Sequence, residues 1–360
     1  MSESADRLSR LRDRMRTAEI DGLVVSSPSN IFYLSGFRGS SGVVLIAEQR
    51  SRLFSDFRYR LQAREQAPDF EFVEVPRGLL ARVGEAAVED GLQRLGYDPA
   101  HLTCEMRDQL AEGAPGLDLA PAEGLVEALR SVKSADEVER IAIAAALADA
   151  ALARMAELLR PGATEREIAL EGEFLMRRQG AEAAAFDMIV ASGPRSALPH
   201  AETTDRELRP GDLVVIDIGA RVSGYCSDMT RTFAVQSAPK AAQDIYGIVY
   251  RAQRAAAAGV RAGAVCGEVD SIARAMIEEA GHGDDFGHGL GHGVGIDVHE
   301  APRLARDQDA ALVAGNVVTV EPGIYVDGLG GVRLEDLLVV RTEGAETVTG
   351  SPMPAELPVV

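Results

Sequence analysis

The sequence has few cysteines and no long apolar segment, and both shortages limit the kinds of protein that it can encode. Its three cysteines, Cys104, Cys226 and Cys266, are scattered and odd in number, which is typical of a reducing compartment rather than a disulfide framework. The first residues carry mixed charges without an apolar signal segment, and the alanine-rich run at 141–148 stops at Asp149, far short of a membrane span. These features predict a cytoplasmic protein.

Basic residues are scarce relative to acidic ones. There are 37 lysines and arginines against 56 aspartates and glutamates, which gives a formal net charge of −19. A protein that binds nucleic acid or an anionic membrane usually presents a basic surface, so this balance argues against both as main partners. We interpret the acidity as a source of solubility.

Length and local patterns predict two domains. A chain of 360 residues, of which 46% are hydrophobic, is too long for one small domain and suits two. Residues 1–128 alternate helical and strand signals, which predicts a small α/β domain, and this part contains no catalytic cluster. A boundary is expected near Arg130, because capping boxes at 134–137 and 164–167 begin two successive helices. Residues 129–360 then turn to strands around a helical interval, which predicts an α+β catalytic domain.

Four acidic residues occupy strand-like segments of this second domain, where a charge is otherwise unfavourable. The strand that leads into Asp217 and the segment that returns to Asp228 predict an antiparallel hairpin with one carboxylate on each strand. A second unit repeats the plan, from a strand ending at Glu321, through a turn at 328–331, to a return strand ending at Glu335. The repetition predicts that four carboxylates surround one site.

A glycine-rich segment between the two units supplies one imidazole. His292 lies within residues 287–295, where alternate glycines let the backbone approach a metal or substrate closely. Four carboxylates would repel one another unless cations neutralised them, and two divalent ions would cancel four negative charges. The spacing does not match a dinucleotide-binding loop, and the required strand, loop and helix context is absent. A lone acid in a strand is more often structural, so only the five residues together predict a metal centre.

Five segments of the second domain resemble the pita-bread metallopeptidases, the family of methionine aminopeptidase, prolidase and aminopeptidase P. They occur in the family's order and are residues 191–200, 215–219, 227–231, 291–302 and 321–336. The resemblance implies an α/β N-terminal domain followed by a creatinase/methionine aminopeptidase-like catalytic domain with every ligand present. It argues against a non-catalytic peptide-binding relative, and against the creatine-hydrolysing branch, an amidinohydrolase that works without the metals.

The resemblance assigns a role to each ligand. It implies that Asp217 holds one metal ion, that His292 and Glu321 hold the other, and that Asp228 and Glu335 bridge both. A hydroxide between the ions is then the nucleophile, and Glu321 relays its proton. The oxygen-rich ligand set favours two Mn²⁺ ions, with Co²⁺ or Zn²⁺ as alternatives.

Further residues are expected to contact the substrate. His299 resembles the histidine that hydrogen-bonds the developing oxyanion, and His200 resembles one that helps to place the leaving side. Together with Glu321, these two are the expected catalytic residues. His288 resembles a further pocket histidine, and Arg333 is expected to pair with the site acids and to help bind substrate.

The presence of an N-terminal domain argues against a methionine aminopeptidase, because those enzymes generally lack one. Residues 30–42 and 53–59 resemble aminopeptidase P more than prolidase. Both enzymes cut the bond before proline, whose nitrogen carries no N–H. The resemblance therefore implies a Xaa-Pro aminopeptidase, acting on peptides with proline at the second position, and a homodimer. A Xaa-Pro dipeptidase with the same metal site is the alternative, which a cationic group placed to bind a dipeptide carboxylate would favour.

Overall fold

The computed structural model describes residues 3–360 and divides into two compact units, with the division between Arg130 and Ser131. The limits expected from sequence, 1–128 and 129–360, stay predictions beside this division. Among the residues described, no helix is both long enough and apolar enough to cross a membrane.

The first unit is built on one mixed sheet. Its helices are α1 (Glu3–Thr17), α2 (Pro28–Ser35), α3 (Arg60–Gln66), α4 (Leu79–Glu89), α5 (Cys104–Gly113) and α6 (Glu127–Arg130). Its strands are β1 (Gly22–Val25), β2 (Val43–Ala47), β3 (Ser51–Ser55), β4 (Glu71–Glu74), β5 (Arg94–Tyr97) and β6 (Asp118–Pro121). The strand order is β4-β3-β2-β1-β5-β6, with β2 antiparallel to both of its neighbours and parallel pairs elsewhere. This is the α/β architecture that the sequence predicts.

The second unit combines helices with several small sheets. Its helices are α7 (Ala135–Glu157), α8 (Glu165–Arg178), α9 (Lys240–Gly259) and α10 (Cys266–Glu279). Its strands are β7 (Ala183–Ala184), β8 (Ile189–Ser192), β9 (Leu213–Ile218), β10 (Ala220–Val222), β11 (Tyr225–Cys226), β12 (Met229–Ala234), β13 (Gly291–Gly293), β14 (Glu300–Leu304), β15 (Val317–Val320), β16 (Gly323–Val326), β17 (Gly330–Arg333), β18 (Asp336–Val340) and β19 (Ala345–Thr347). Both predicted capping boxes are present, at the N-termini of α7 and α8.

Two nested hairpin units carry the acidic residues. In the first, β9 pairs with β12, and the short strands β10 and β11 pair inside them. In the second, β15 pairs with β18, and β16 pairs with β17 inside them. The predicted second hairpin is corrected in one respect, because the return strand β17 pairs with β16 and not with the strand before Glu321. Pro322 lies between β15 and β16 in the sequence, and because it has no N–H to donate, it interrupts the strand there.

Each hairpin unit packs one face against a pair of helices. Val214, Ile216 and Ile218 of β9 are buried in a cluster with residues of α7 and α8. Val318 and Val320 of β15 are buried in a second cluster with residues of α9 and α10. Because side chains alternate along a strand, the residues between them point away from the helices.

A buried ion pair connects the two hairpin units. Arg231 Nη2 on β12 lies 2.7 Å from Asp336 Oδ1 on β18, and both side chains are buried. We expect Arg231→Met to lower the free energy of unfolding by about 3–5 kcal/mol, because the Asp336 charge stays buried without its cation. In the exposed pair of Arg341 with Glu346, Arg341→Met should cost less than about 1 kcal/mol. Chemical denaturation measures both, and equal losses would contradict a special role for the buried pair.

Candidate metal centre

The four acids lie in or directly beside strands of the two hairpin units. Asp217 is on β9, directly opposite Thr230 of β12, and Asp228 immediately precedes β12. Glu321 follows β15, and Glu335 precedes β18. The strand alternation places Asp217 and Glu321 on the faces opposite the apolar side chains that contact the helices.

The imidazole of His292 lies among these acids. Its Nε2 atom is 3.2 Å from Glu321 Oε1 and 3.6 Å from Asp228 Oδ2. Asp228, His292 and Glu335 each offer one ligand atom, and these three atoms lie within 4.8 Å of one another. Residues from both hairpin units and from β13 therefore meet at one place.

Arg333 holds Asp217 through a buried hydrogen-bond network. Its Nη2 atom donates to Asp217 Oδ2 at 2.6 Å, and its Nε atom donates to Thr230 Oγ1 at 3.1 Å. Its Nη1 atom donates to the carbonyl of Pro199 and to the hydroxyl of Tyr325, each at 3.0 Å. Most of its N–H groups are thus taken by the protein. These are the contacts of a residue that orients Asp217, and the substrate-binding role of Arg333 stays a prediction.

Burial and mutual repulsion raise the free energy of ionising three of the acids. The pKa values of Asp228 and Glu335 lie well above their usual range, first because both groups are buried and then because neighbouring carboxylates repel their charges. Burial also raises the pKa of Asp217, although Arg333 opposes the shift. The charge of Asp217 contributes to the raised pKa of both Asp228 and Glu335, so all three belong to one electrostatic cluster.

Glu321 and His292 form a hydrogen-bonded pair within this cluster. Burial alone would raise the pKa of Glu321, but the hydrogen bond and the charge of His292 outweigh burial and lower the pKa to about 2. Burial would lower the pKa of His292, but the same contact with Glu321 raises it. Glu321 is therefore ionised at neutral pH.

The donor set fits two divalent ions. Asp217 Oδ1 and Glu335 Oε1 are buried and have no hydrogen-bond partner within residues 3–360. Buried carboxylate oxygens are normally paired, so each unpaired oxygen marks a place where a cation would lower the free energy. Arg333 compensates only part of the negative charge of four carboxylates, and oxygen donors with one imidazole suit divalent metals.

Three other predicted residues, all histidines, lie around the acids. The ring of His299 is 4.2 Å from that of His292 between centroids, and His288 Nε2 is 3.0 Å from the hydroxyl of Tyr325. Burial is the main cause that lowers the pKa of His288 and of His299, and the charge of the exposed His200 adds to both shifts. The structure thus groups these histidines with the expected ligands, while their catalytic and substrate roles stay predictions.

Two further residues lie beside the site and were not expected from the sequence. Tyr325 connects His288 to Arg333 through its hydroxyl group. Arg303 stands directly opposite His292 in the pairing of β13 with β14, and such cross-strand neighbours share one face. Arg303 lies one residue beyond the segment 291–302, which resembles the family, and this closeness in sequence is the feature that could have indicated it.

A small α/β unit followed by two nested hairpin units around a cluster of carboxylates and imidazole defines a metalloenzyme of the pita-bread class. The chain belongs to metallopeptidase family M24, whose model matches residues 139–342. The model of the creatinase/prolidase N-terminal domain matches residues 7–132. These matches confirm the predicted family and fold class.

Relatives that extend over nearly the whole chain place it in the Xaa-Pro branch of the family. A Xaa-Pro dipeptidase of Pyrococcus furiosus is 36% identical over 347 residues, which cover 96% of this chain and 97% of the relative. The structure of a Xaa-Pro dipeptidase from Bacillus anthracis is 41% identical, with a TM-score of 0.96, and the match covers 99% of this chain and 100% of that one. An X-Pro aminopeptidase from Thermotoga maritima MSB8 is 34% identical, with a TM-score of 0.87, and the match covers 97% and 100%.

Proposed function

We propose that the protein is a dinuclear metal-dependent Xaa-Pro dipeptidase, which hydrolyses the bond before proline in two-residue substrates. The sequence alone favoured the aminopeptidase and kept the dipeptidase as the alternative. Relatives named as dipeptidases now support the alternative, and so does the placement of Arg303 beside His292, which is the observation that carries this choice.

Arg303 has the properties needed to bind the free carboxylate of a dipeptide. It faces the same side of the sheet as His292, it is exposed, and its side chain makes no hydrogen bond or ion pair with another residue in the range 3–360. Its charge also contributes, after burial, His292 and His200, to the lowered pKa of His299. A guanidinium group can bind a carboxylate through two parallel hydrogen bonds, which would select a substrate whose chain ends at proline.

The predicted ligands would hold the metal ions from both hairpin units. Asp217, Asp228, His292, Glu321 and Glu335 would bind two divalent ions, which when bound would polarise the scissile carbonyl and activate a water molecule. Mn²⁺ is the proposed metal, because the ligand set is rich in carboxylate oxygen.

The remaining chemistry is assigned to this chain's own side chains. Glu321 would accept a proton from the attacking water and return it to the proline nitrogen, which leaves as a secondary amine. His299 is held neutral and can donate a hydrogen bond to the developing oxyanion. His200, at the exposed side of the site, would contact the substrate near the scissile bond.

A Xaa-Pro aminopeptidase with the same centre is the second candidate. The Thermotoga maritima X-Pro aminopeptidase supports it, as do the two N-terminal segments at 30–42 and 53–59. The proposed assembly for either enzyme is a homodimer, and the proposed location is the cytoplasm; both stay predictions.

Hydrolysis of matched substrates tests the proposal. Purified protein with Mn²⁺ is assayed on a Xaa-Pro dipeptide and on Xaa-Pro-Xaa tripeptides, and then with a chelator. We expect cleavage of the dipeptide, little cleavage of the longer peptides, and loss of activity on chelation. Cleavage of the tripeptides in preference to the dipeptide would establish the aminopeptidase instead, and activity that survives chelation would contradict the metal-dependent mechanism.

A further inference from the structure

A threonine in the first hairpin unit donates its only hydroxyl proton to one of the expected ligands. Thr230 Oγ1 lies 2.7 Å from Glu335 Oε2 and 3.1 Å from Arg333 Nε, and the side chain is fully buried. The Nε–H group of arginine can only donate, so the threonine oxygen must accept there. When Glu335 is ionised, as a metal ligand has to be, the hydroxyl proton points at Glu335 Oε2. Glu335 Oε1 is then the buried oxygen for which residues 3–360 provide no hydrogen-bond partner.

A second threonine makes the same arrangement in the other hairpin unit. Thr319 Oγ1 accepts from the backbone N–H of His292 at 3.1 Å and lies 3.0 Å from Glu321 Oε1. The backbone N–H also only donates, so the hydroxyl proton of Thr319 points at Glu321. The strands are close enough for this because residue 291 is glycine: a Cβ there would lie 2.1 Å from the carbonyl oxygen of Thr319.

We propose that Thr230 and Thr319 are positioning residues of the metal centre, which fix the carboxylates of Glu335 and Glu321 so that a defined oxygen of each faces the ions. Each hydroxyl bond favours the ionised carboxylate and restrains its rotation before metal arrives. Thr230 also accepts a hydrogen bond from Arg333, which holds Asp217, and it thereby connects Asp217 and Glu335 in one hydrogen-bond network. This inference rests on the metal centre of the proposed function.

An ordinary strand threonine provides the comparison. Thr232 is also fully buried on β12, and its hydroxyl bonds to the backbone carbonyl and N–H of Arg333. It therefore shares the strand, the burial and even a neighbour with Thr230, but its hydroxyl makes no hydrogen bond to a carboxylate in the described part of the chain, residues 3–360. Removing the hydroxyl of Thr232 tests the general effect of losing a buried hydroxyl in this strand.

The experiment measures metal binding to the metal-free protein and does not depend on turnover. Isothermal titration with Mn²⁺ is carried out on wild type, Thr230→Val, Thr319→Val, Thr230→Ser, Thr319→Ser and Thr232→Val, with circular dichroism to verify folding. We expect the Thr230→Val and Thr319→Val changes each to weaken Mn²⁺ binding by about 10–100-fold. The serine variants keep the hydroxyl donor and should bind within about threefold of wild type, as should Thr232→Val.

The outcomes separate this inference from the proposed function. Wild-type affinity in both Thr230→Val and Thr319→Val, or an equal loss in Thr232→Val, would overturn the inference even if wild type cleaves Xaa-Pro dipeptides. The expected order of affinities in a protein that cleaves no Xaa-Pro peptide would support the inference and overturn the proposed function. If a valine variant does not fold, the serine variant at the same position decides, because a loss of affinity with the hydroxyl present would also overturn it.

Discussion

Glu335→Gln should abolish most activity while making the metal-free protein more stable. The change removes a charged ligand oxygen, and metal centres contribute several kcal/mol of transition-state stabilisation, so we expect kcat/KM to fall by about 10³-fold or more. Without metal, the same carboxylate is buried among other acids, so its neutralisation should raise the free energy of unfolding by about 1–3 kcal/mol. Metal analysis checks the expected loss of bound metal, peptide hydrolysis the loss of activity, and chemical denaturation of the chelated protein the gain in stability.

The stability gain should depend on pH in a defined direction. Burial and neighbouring carboxylates raise the pKa of Glu335 above its ordinary value of 4.5. The metal-free folded state therefore binds more protons than the unfolded state, and its stability falls as pH rises from about 4 toward the folded pKa. The advantage of Glu335→Gln should be absent near about pH 4 and should grow as pH rises.

A second buried glutamate serves as the control for Glu335. Glu165 is fully buried, but its two oxygens accept hydrogen bonds from the backbone and hydroxyl groups of Ser192 and Thr204. Glu165→Gln should lower stability and leave the metal content unchanged, because it loses charge-assisted hydrogen bonds and is not an expected ligand. If Glu335→Gln behaved like Glu165→Gln in all three measurements, Glu335 would be a structural acid and not a ligand.

Much of the site could be predicted because local sequence rules determine it. Because side chains alternate along a strand, Asp217 points away from the buried face that its neighbours Ile216 and Ile218 form. The repeated plan of acid, turn and acid indicated two hairpin units, although in the second unit the return strand β17 pairs with β16 and not with the strand before Glu321. The capping boxes of α7 and α8 likewise depend only on residues three positions apart.

Arg303 could not be found in this way because its position depends on an irregular register. Gly293 pairs with Glu300, and an unbroken antiparallel ladder would then place Ala301 opposite His292. The structure instead has a bulge between His292 and Gly293, which puts Arg303 opposite His292. The acceptors that surround the Arg333 side chain were equally hidden, since they come from separate parts of the chain and their hydrogen bonds are set by tertiary packing.

Arg303→Met should reduce cleavage of the dipeptide selectively. A charge-assisted hydrogen bond is worth about 1.5–3 kcal/mol, so we expect kcat/KM for a Xaa-Pro dipeptide to fall by about 10–100-fold. Activity on a Xaa-Pro-Xaa tripeptide should change by less than about threefold, because its carboxylate lies one residue further away. Arg306 offers the control: it is exposed and pairs with Glu278 at 2.7 Å, so Arg306→Met should leave both substrates unaffected.

A substrate without the carboxylate completes the test of Arg303. Wild type should cleave a Xaa-Pro amide as poorly as Arg303→Met cleaves the dipeptide, and the amide should be nearly insensitive to the substitution. Such a double-mutant cycle isolates the contact between the guanidinium and the carboxylate from other effects of the change. Equal losses on the dipeptide and its amide would mean that Arg303 supports the site without binding that carboxylate. Only the relatives named as dipeptidases would then support a dipeptidase, and the site itself would no longer favour a dipeptidase over an aminopeptidase.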